Sequence, residues 1–173
     1  MSLAALVFAA ALGAGQPAQM TLTSRDLTAG AAMPSLHVYA RCGGRNVSPE
    51  LSWAGAPEAT KSFVVTMIDL DVRPGGWSHW IVENVPAPVT SLPRGVALAS
   101  VGARGVVSDF GDAVYDGPCP PAGTGVHHYE LTVWAMANAR EDMPADPSAQ
   151  ALRARLAATS LAHASLIVTA EGR

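Results

Sequence analysis

The run from Lys61 to Asp71, KSFVVTMIDLD, limits the possible folds of this chain more than any other stretch. Its apolar residues are nearly continuous, with little of the alternation expected of a strand that keeps one wet face. Such a run reads as a strand buried on both faces. Shorter segments of strand character surround it. MTLTS (20–24) and LHVYA (36–40) alternate polar and apolar residues, and HWIVENV (79–85), YELTVWAM (129–136) and ASLIVTA (164–170) follow. Between them lie NVSPE, RPGG, VPAPVTSLPRG and DGPCPPAGTG, all rich in the residues that make turns. One helix is expected, over ADPSAQALRARLAATSLA (145–162). Asp146 is its expected N-cap, Pro147 its first helical residue, and Leu152, Leu156 and Leu161 its apolar stripe. The predicted class is mostly β, a single domain over 20–173 with a C-terminal helix packed on it.

Composition narrows the function. The net charge is −3 and the basic residues are scattered arginines with Lys61 the one lysine, so no basic stripe tracks a nucleic-acid backbone. Residues 1–19, MSLAALVFAAALGAGQPAQ, carry no charged side chain. The apolar run from Leu3 to Ala14 is shorter than the roughly 20 residues of a membrane span. It has the length of a secretory h-region, with small residues at Ala14 and Ala18 for cleavage, so a signal peptide is expected; a first strand or helix of the fold is the alternative. Export would put Cys42 and Cys119 in an oxidising compartment. Both sit in Gly/Pro-rich loops, and either a Cys42–Cys119 disulfide or two free thiols fits that placement.

Three segments hold the side chains able to do chemistry. Asp69 and Asp71 stand two apart at the exit of the apolar run, and leave on one face while the strand stays extended. Two acids there are costly without partners. His79 opens the next strand. His127 and Tyr129 share a face at the start of another, with His128 pointing away. Pro120, Pro121, Gly123 and Gly125 shape the loop before them, since proline fixes φ and glycine admits positive φ and close approach. If these strand ends converge, two carboxylates, two imidazoles and a phenol line one cavity. Carboxylates beside the rings favour imidazolium. Cationic histidines with a tyrosine hydroxyl suit phosphate, and the carboxylates suit a nearby ammonium, so a zwitterionic phosphate head group fits better than a bare polyanion. Each residue also has a structural reading: a strand-edge histidine is commonly structural, Asp-x-Asp is a turn former, and Trp53, Trp77, Trp80 and Trp134 suit a core or a pocket wall. The Asn46-Val-Ser match to a glycosylation acceptor is short enough to arise by chance.

These segments, with SRDLTAGAAMP, GRNVSPELSWAGAPEATKSFVVTMIDLD, WSHWIVENVP, SDFGDAVYDGPCPPAGTGVHHYELTVWAM and SLAHASLIVTA, resemble the phosphatidylethanolamine-binding protein family, in its bacterial Raf-kinase-inhibitor-like branch. The resemblance runs from Thr21 to the C-terminus. It implies a β-sandwich core and a pocket for anions and phospho-head groups, and puts ligand-binding roles on Asp69, Asp71, His79, Pro120, Pro121, His127 and Tyr129. Pro74, Trp77 and Gly117 are expected in the pocket wall. The family's Asp-Pro-Asp reads DLD here, with Leu70 in place of proline, and its His-Arg-Tyr reads HHY, with His128 in place of arginine. Members with cysteine at both loop positions resemble secreted forms, which supports export and the disulfide.

The leading expectation is therefore a non-catalytic, periplasmic or secreted protein that binds a small anionic or phospho-head-group ligand. A cytoplasmic location is the alternative. A second reading is an inhibitor whose pocket rim, Arg73 to Trp77, docks a partner kinase or protease. The third is a hydrolase, or a metal site on His79, His127 and Asp69; neither Gly-x-Ser-x-Gly nor His-Glu-x-x-His occurs in the sequence. No catalytic residue, metal or cofactor is assigned, no integral membrane span is expected, and the oligomeric state, a homodimer included, is left open.

Overall fold

The computed structural model describes residues 19–144 and 147–172. The strands, in chain order, are β1 (Thr21–Thr23), β2 (Leu51–Ala54), β3 (Ser62–Asp69), β4 (Trp77–Pro86), β5 (Ser91–Leu92), β6 (Arg104–Gly105), β7 (Val126–Met136) and β8 (Ser160–Glu171). They form a three-stranded sheet, β1-β2-β5, and a five-stranded sheet, β6-β4-β3-β7-β8, and every named pairing is antiparallel.

β3 lies at the centre of the large sheet, and all of its residues are buried. Phe63, Val65 and Met67 point between the sheets, into a core shared with Leu22, Leu51, Trp53 and Leu92 of the small sheet. The Trp53 and Phe63 rings meet edge to face at 5.3 Å. Val64, of opposite parity, joins Ile81, Trp134 and Met136 on the other face, under Leu152 and Leu156 of helix α1 (Ala149–Thr159). The continuous apolar run thus has the two covered faces it requires. The architecture is mostly β, a sandwich-like pair of sheets with one late helix across the outer face.

Three local expectations change. LHVYA (36–40) is a turn leading into a short 3-10 helix, Ala40–Cys42. Its alternation reflects the burial of His37, whose Nδ1 meets the Val47 carbonyl at 2.7 Å and whose own carbonyl accepts the Tyr115 hydroxyl at 2.8 Å. The helix is shorter than 145–162. Asp146, its expected cap, lies outside the described residues, and the N-cap is Ser148, whose Oγ accepts from Ala151 N at 3.3 Å, so Pro147 lies before the helix. At the other end the chain turns directly into β8, where Leu161 is exposed and outside the apolar stripe. Pairing along β7, from Ser160–Met136 to Glu171–Val126, outweighs another turn of helix. Of the expected signal peptide, residues 1–18 lie outside the described residues. No helix among the described residues is long and apolar enough to cross a membrane.

Cys42 and Cys119 are joined in a disulfide with their Cα atoms 5.6 Å apart. It ties the 3-10 helix to the loop before β7. Of the two readings open in the sequence, the paired one is observed.

Candidate functional site

β3 ends at Asp69, which is paired with Tyr129 of β7 on one side and Trp77 of β4 on the other. Asp69 has the parity of Val65 and Met67, so it leaves the strand toward the space between the sheets, as do Tyr129 and His127. His79 reaches the same place by another device. The register jumps from Met67–Trp80 to Ile68–Ser78, leaving His79 as an extra residue in β4. Such a bulge re-aims one side chain against the simple alternation. The ring of His79 consequently stands edge-on to Tyr129, centroids 5.1 Å apart, with Phe110 on its other flank at 4.8 Å.

Hydrogen bonds connect the group. His127 Nδ1 lies 2.7 Å from Asp69 Oδ2, and its Nε2 lies 2.9 Å from Thr124 Oγ1. His79 Nδ1 lies 2.9 Å from the Asp116 carbonyl. A carbonyl only accepts, so this contact places the proton on Nδ1 and leaves Nε2 with a lone pair. The Tyr129 hydroxyl is buried and makes no hydrogen bond of ordinary geometry, with the Asp69 carboxylate its near polar neighbour.

Burial decides the protonation states. It pulls the His79 imidazole down to about 4, against the opposing pull of the Asp116 carbonyl and the Asp69 charge. His79 is therefore neutral at pH 7, which corrects the expectation of an imidazolium at this position. Desolvation outweighs a carboxylate here because the ring is only 4 % exposed. Burial, with the Asp69 charge second, pushes the Tyr129 phenol upward, so it stays a hydrogen-bond donor.

The residues behind the site carry no motif. Asp116 N donates to the His79 carbonyl at 3.1 Å, so Asp116 holds His79 through both of its own backbone groups. Asn46 grips Asp116 in turn, donating from Nδ2 to Asp116 Oδ1 and to the Tyr115 carbonyl, each at 3.1 Å, and accepting from Gly117 N at 2.7 Å. Its amide is thus used inside the fold. Burial raises the Asp116 carboxyl, and the neighbouring Asp112 adds to the rise. Ser78, next to His79, exchanges hydrogen bonds with Asp109, its Oγ accepting from Asp109 N at 2.9 Å and donating to Oδ2 at 2.8 Å. Only the Asp-Gly-Pro turn chemistry around 116–118 hints at these supports in sequence.

The other expected residues flank this group. The Asp71 carboxylate is not bonded to His127 as that of Asp69 is: the strand ends at Asp69, Leu70 N turns to the His128 carbonyl at 2.9 Å, and Asp71 N donates to Asp69 Oδ1 at 2.9 Å. Asp71 instead accepts from His128 N at 2.6 Å and faces its Nδ1 at 2.9 Å, and those two bonds hold its carboxyl below the usual range. His128, in place of the family's arginine, thus faces outward and anchors that carboxylate. Trp77 lies at the rim, 39 % exposed and edge-on to Phe110 at 6.3 Å. Pro74 is exposed on the turn closed by Gly76 N to Val72 O. Pro120 is buried and Pro121 exposed. Gly117 is needed for close approach, since a Cβ there would meet the His37 carbonyl oxygen at 1.9 Å.

A cavity of about 600 Å³ lies beside Pro118 and Pro120, lined also by Arg41, Cys42, Thr169 and Glu171, and it includes none of His79, His127 and Tyr129. Its two charged side chains are exposed, whereas those of the His79, His127 and Tyr129 group are buried. Among the described residues no group of three or more His, Cys, Asp and Glu side chains is arranged to hold a metal ion; Asp69 and Thr124 already occupy both nitrogens of His127.

Residues 23–171 match the profile of a family described as phosphatidylethanolamine-binding protein. The chain is 42% identical to the UPF0098 protein YbcL of Escherichia coli over 139 residues, 76% of this chain and 75% of the relative. It is 40% identical to YbhB of the same organism over 154 residues, 85% and 97% of the two chains. A Mycobacterium tuberculosis relative named as a lipoprotein, LppC, is 34% identical over 153 residues, 88% of this chain and 73% of that one. The crystal structure of E. coli YbcL, described as a member of the mammalian PEBP family, superposes with a TM-score of 0.81 at 38% identity, covering 90% of this chain and all of that one. The family profile, the sequence identities and the superposition agree over nearly the whole described chain, and the protein belongs to the phosphatidylethanolamine-binding protein family.

Proposed function

We propose that the protein is a non-catalytic binding protein that takes a small anionic or phosphorylated group, of the phosphoethanolamine kind, at His79, His127 and Tyr129. The buried hydroxyl of Tyr129, which has the Asp69 carboxylate near it but makes no hydrogen bond of ordinary geometry, carries this reading. An unmade hydrogen bond at a buried polar group costs about 1–3 kcal/mol, which a ligand oxygen accepting from the phenol recovers. His79 stands beside it with Nε2 unprotonated. An approaching anion raises the basicity of that ring, so binding draws a proton onto His79 and adds a second donor. Asp69, already hydrogen-bonded to His127 at 2.7 Å, leaves the anion facing an engaged and not a bare carboxylate.

The disulfide and the lipoprotein relative support a periplasmic or secreted location over a cytoplasmic one. The exposed Trp77 at the site's rim supports, as a second reading, a modulator that docks a protein partner over the same pocket. A hydrolase reading has no comparable support, since the Asp69–His127 pair ends on Thr124, which itself donates to a backbone carbonyl.

Titration with phosphoethanolamine, followed by the imidazole NMR signals, tests the proposal. Saturable shifts of His79 and His127 are expected, with affinity reduced about tenfold in Tyr129→Phe by loss of one buried donor. Unmoved imidazoles at millimolar ligand would remove the head-group reading and turn attention to the Trp77 rim.

A further inference from the structure

Thr124 carries one hydroxyl proton and makes two contacts with it in reach. Its Oγ1 lies 2.8 Å from the Pro121 carbonyl and 2.9 Å from His127 Nε2. An anion needs a donor at Nε2, and in the form of the ring that supplies one, Nε2 donates to Oγ1 while the hydroxyl proton lies toward the Pro121 carbonyl, which can only accept. On its other side the ring donates Nδ1–H to Asp69, at 2.7 Å. In that form His127 spends both N–H donors within the protein, one on a carboxylate and one on a neutral hydroxyl.

The second of these bonds is the replaceable one. An anionic oxygen is a better acceptor for an imidazolium N–H than a neutral hydroxyl is. Thr124 is also free to leave. It is exposed, and lies between Gly123 (φ +83°) and Gly125 (φ +85°), neither of which would have an added Cβ within 4 Å of any neighbour. The loop around it thus has two glycine pivots in open space, whereas Asp69 is held in the middle of the sheet by partners on both sides.

We infer that Thr124 is an internal competitor for the binding site: its hydroxyl occupies on His127 Nε2 the position taken by an oxygen of the bound anion, and it is displaced when the anion enters. This rests on the binding reading above and adds to it the residue that sets the affinity and the place of one ligand oxygen. Thr124 is neither a nucleophile nor a ligand contact in this arrangement. Removing its hydroxyl strengthens binding, the reverse of what a contact residue would do.

The test compares wild type, Thr124→Val and Thr124→Ser in titrations with inorganic phosphate, beside imidazole NMR spectra of the ligand-free proteins. Thr124→Val is expected to bind phosphate about three- to tenfold more tightly, the net worth of one hydrogen bond to a charged group. Thr124→Ser is expected to restore the wild-type affinity. The His127 Nε2 proton is expected to be protected from solvent exchange in wild type and unprotected in Thr124→Val. Equal or weaker phosphate binding by Thr124→Val would overturn the competitor role. Phosphate binding by wild type with an unprotected Nε2 proton would overturn it too, while leaving the binding reading intact. No phosphate binding by any of the three, with the Nε2 proton still protected in wild type, would sink the binding reading and leave only the hydrogen bond. Thr124→Ala, with thermal unfolding of each variant, separates these effects from any distortion of the loop by the added bulk of valine.

Discussion

Asp26 shows how single residues remote from the candidate site support the residues behind it. Its carboxylate is paired with Arg94, which donates from Nε at 2.9 Å, and it accepts Glu50 N at 2.8 Å. His37 Nε2 lies 3.8 Å away. The Arg94 hydrogen bond is the largest cause that holds this carboxyl down to about 2. His37 in turn accepts the Tyr115 hydroxyl on its carbonyl, and Tyr115 precedes the Asp116 that orients His79. A folded-state value below the unfolded one stabilises the fold above the unfolded value, near 3.8, and that contribution disappears as pH falls through about 2. Asp26→Asn is therefore expected to cost about 1–2 kcal/mol at pH 7, less than full linkage because Arg94 is largely in water. Urea unfolding at pH 7, 4 and 2.5 checks it: the gap between wild type and variant should narrow between pH 4 and 2.5. A constant gap would assign the loss to packing instead.

At the scale of elements, the two faces of the large sheet have separate duties. The face toward the small sheet ends in Asp69, His127 and Tyr129, with His79 brought to it by the bulge in β4. The opposite face is covered by α1 through Leu152 and Leu156, both essentially fully buried. Leu156→Ala should accordingly destabilise the fold by about 2–5 kcal/mol, the range for truncating a fully buried leucine. Phosphate affinity of the folded variant should stay within twofold of wild type, because the site is on the other side of the sheet. Unfolding by urea and an anion titration measure the two halves of that expectation. A loss of affinity equal in size to the loss of stability would show that the faces are coupled.

Across the whole molecule, the Cys42–Cys119 bond closes a separation of 77 residues and fastens the Pro118–Pro121 segment to the 3-10 helix. Its removal in the double variant Cys42→Ser/Cys119→Ser is expected to lower stability by about 2–4 kcal/mol, mainly by freeing the unfolded chain. The midpoint of urea unfolding, with and without reductant, tests this: wild type under reductant should match the double variant. Insensitivity of wild type to reductant, with both thiols shown to be reduced, would contradict it.

Period and turn chemistry were enough to read the large strands, the late helix and the covered faces of β3 from the chain, since those features depend on neighbours within a few residues. The same locality made Asp69, His79, His127 and Tyr129 legible as strand-end groups. Tertiary structure alone decided the rest. The bulge at His79 exists because β4 must pair with β3 in two registers, and the neutrality of that ring follows from walls supplied by Phe110, Tyr129 and Asp116. LHVYA alternates like a strand, yet becomes a turn because His37 finds its partners at Val47 and Tyr115. The Asp71 carboxylate turns to His128 once the strand stops. In each case the deciding contact joins residues remote in the chain, or depends on where a strand ends, and a sequence pattern of period two or 3.6 holds no record of either.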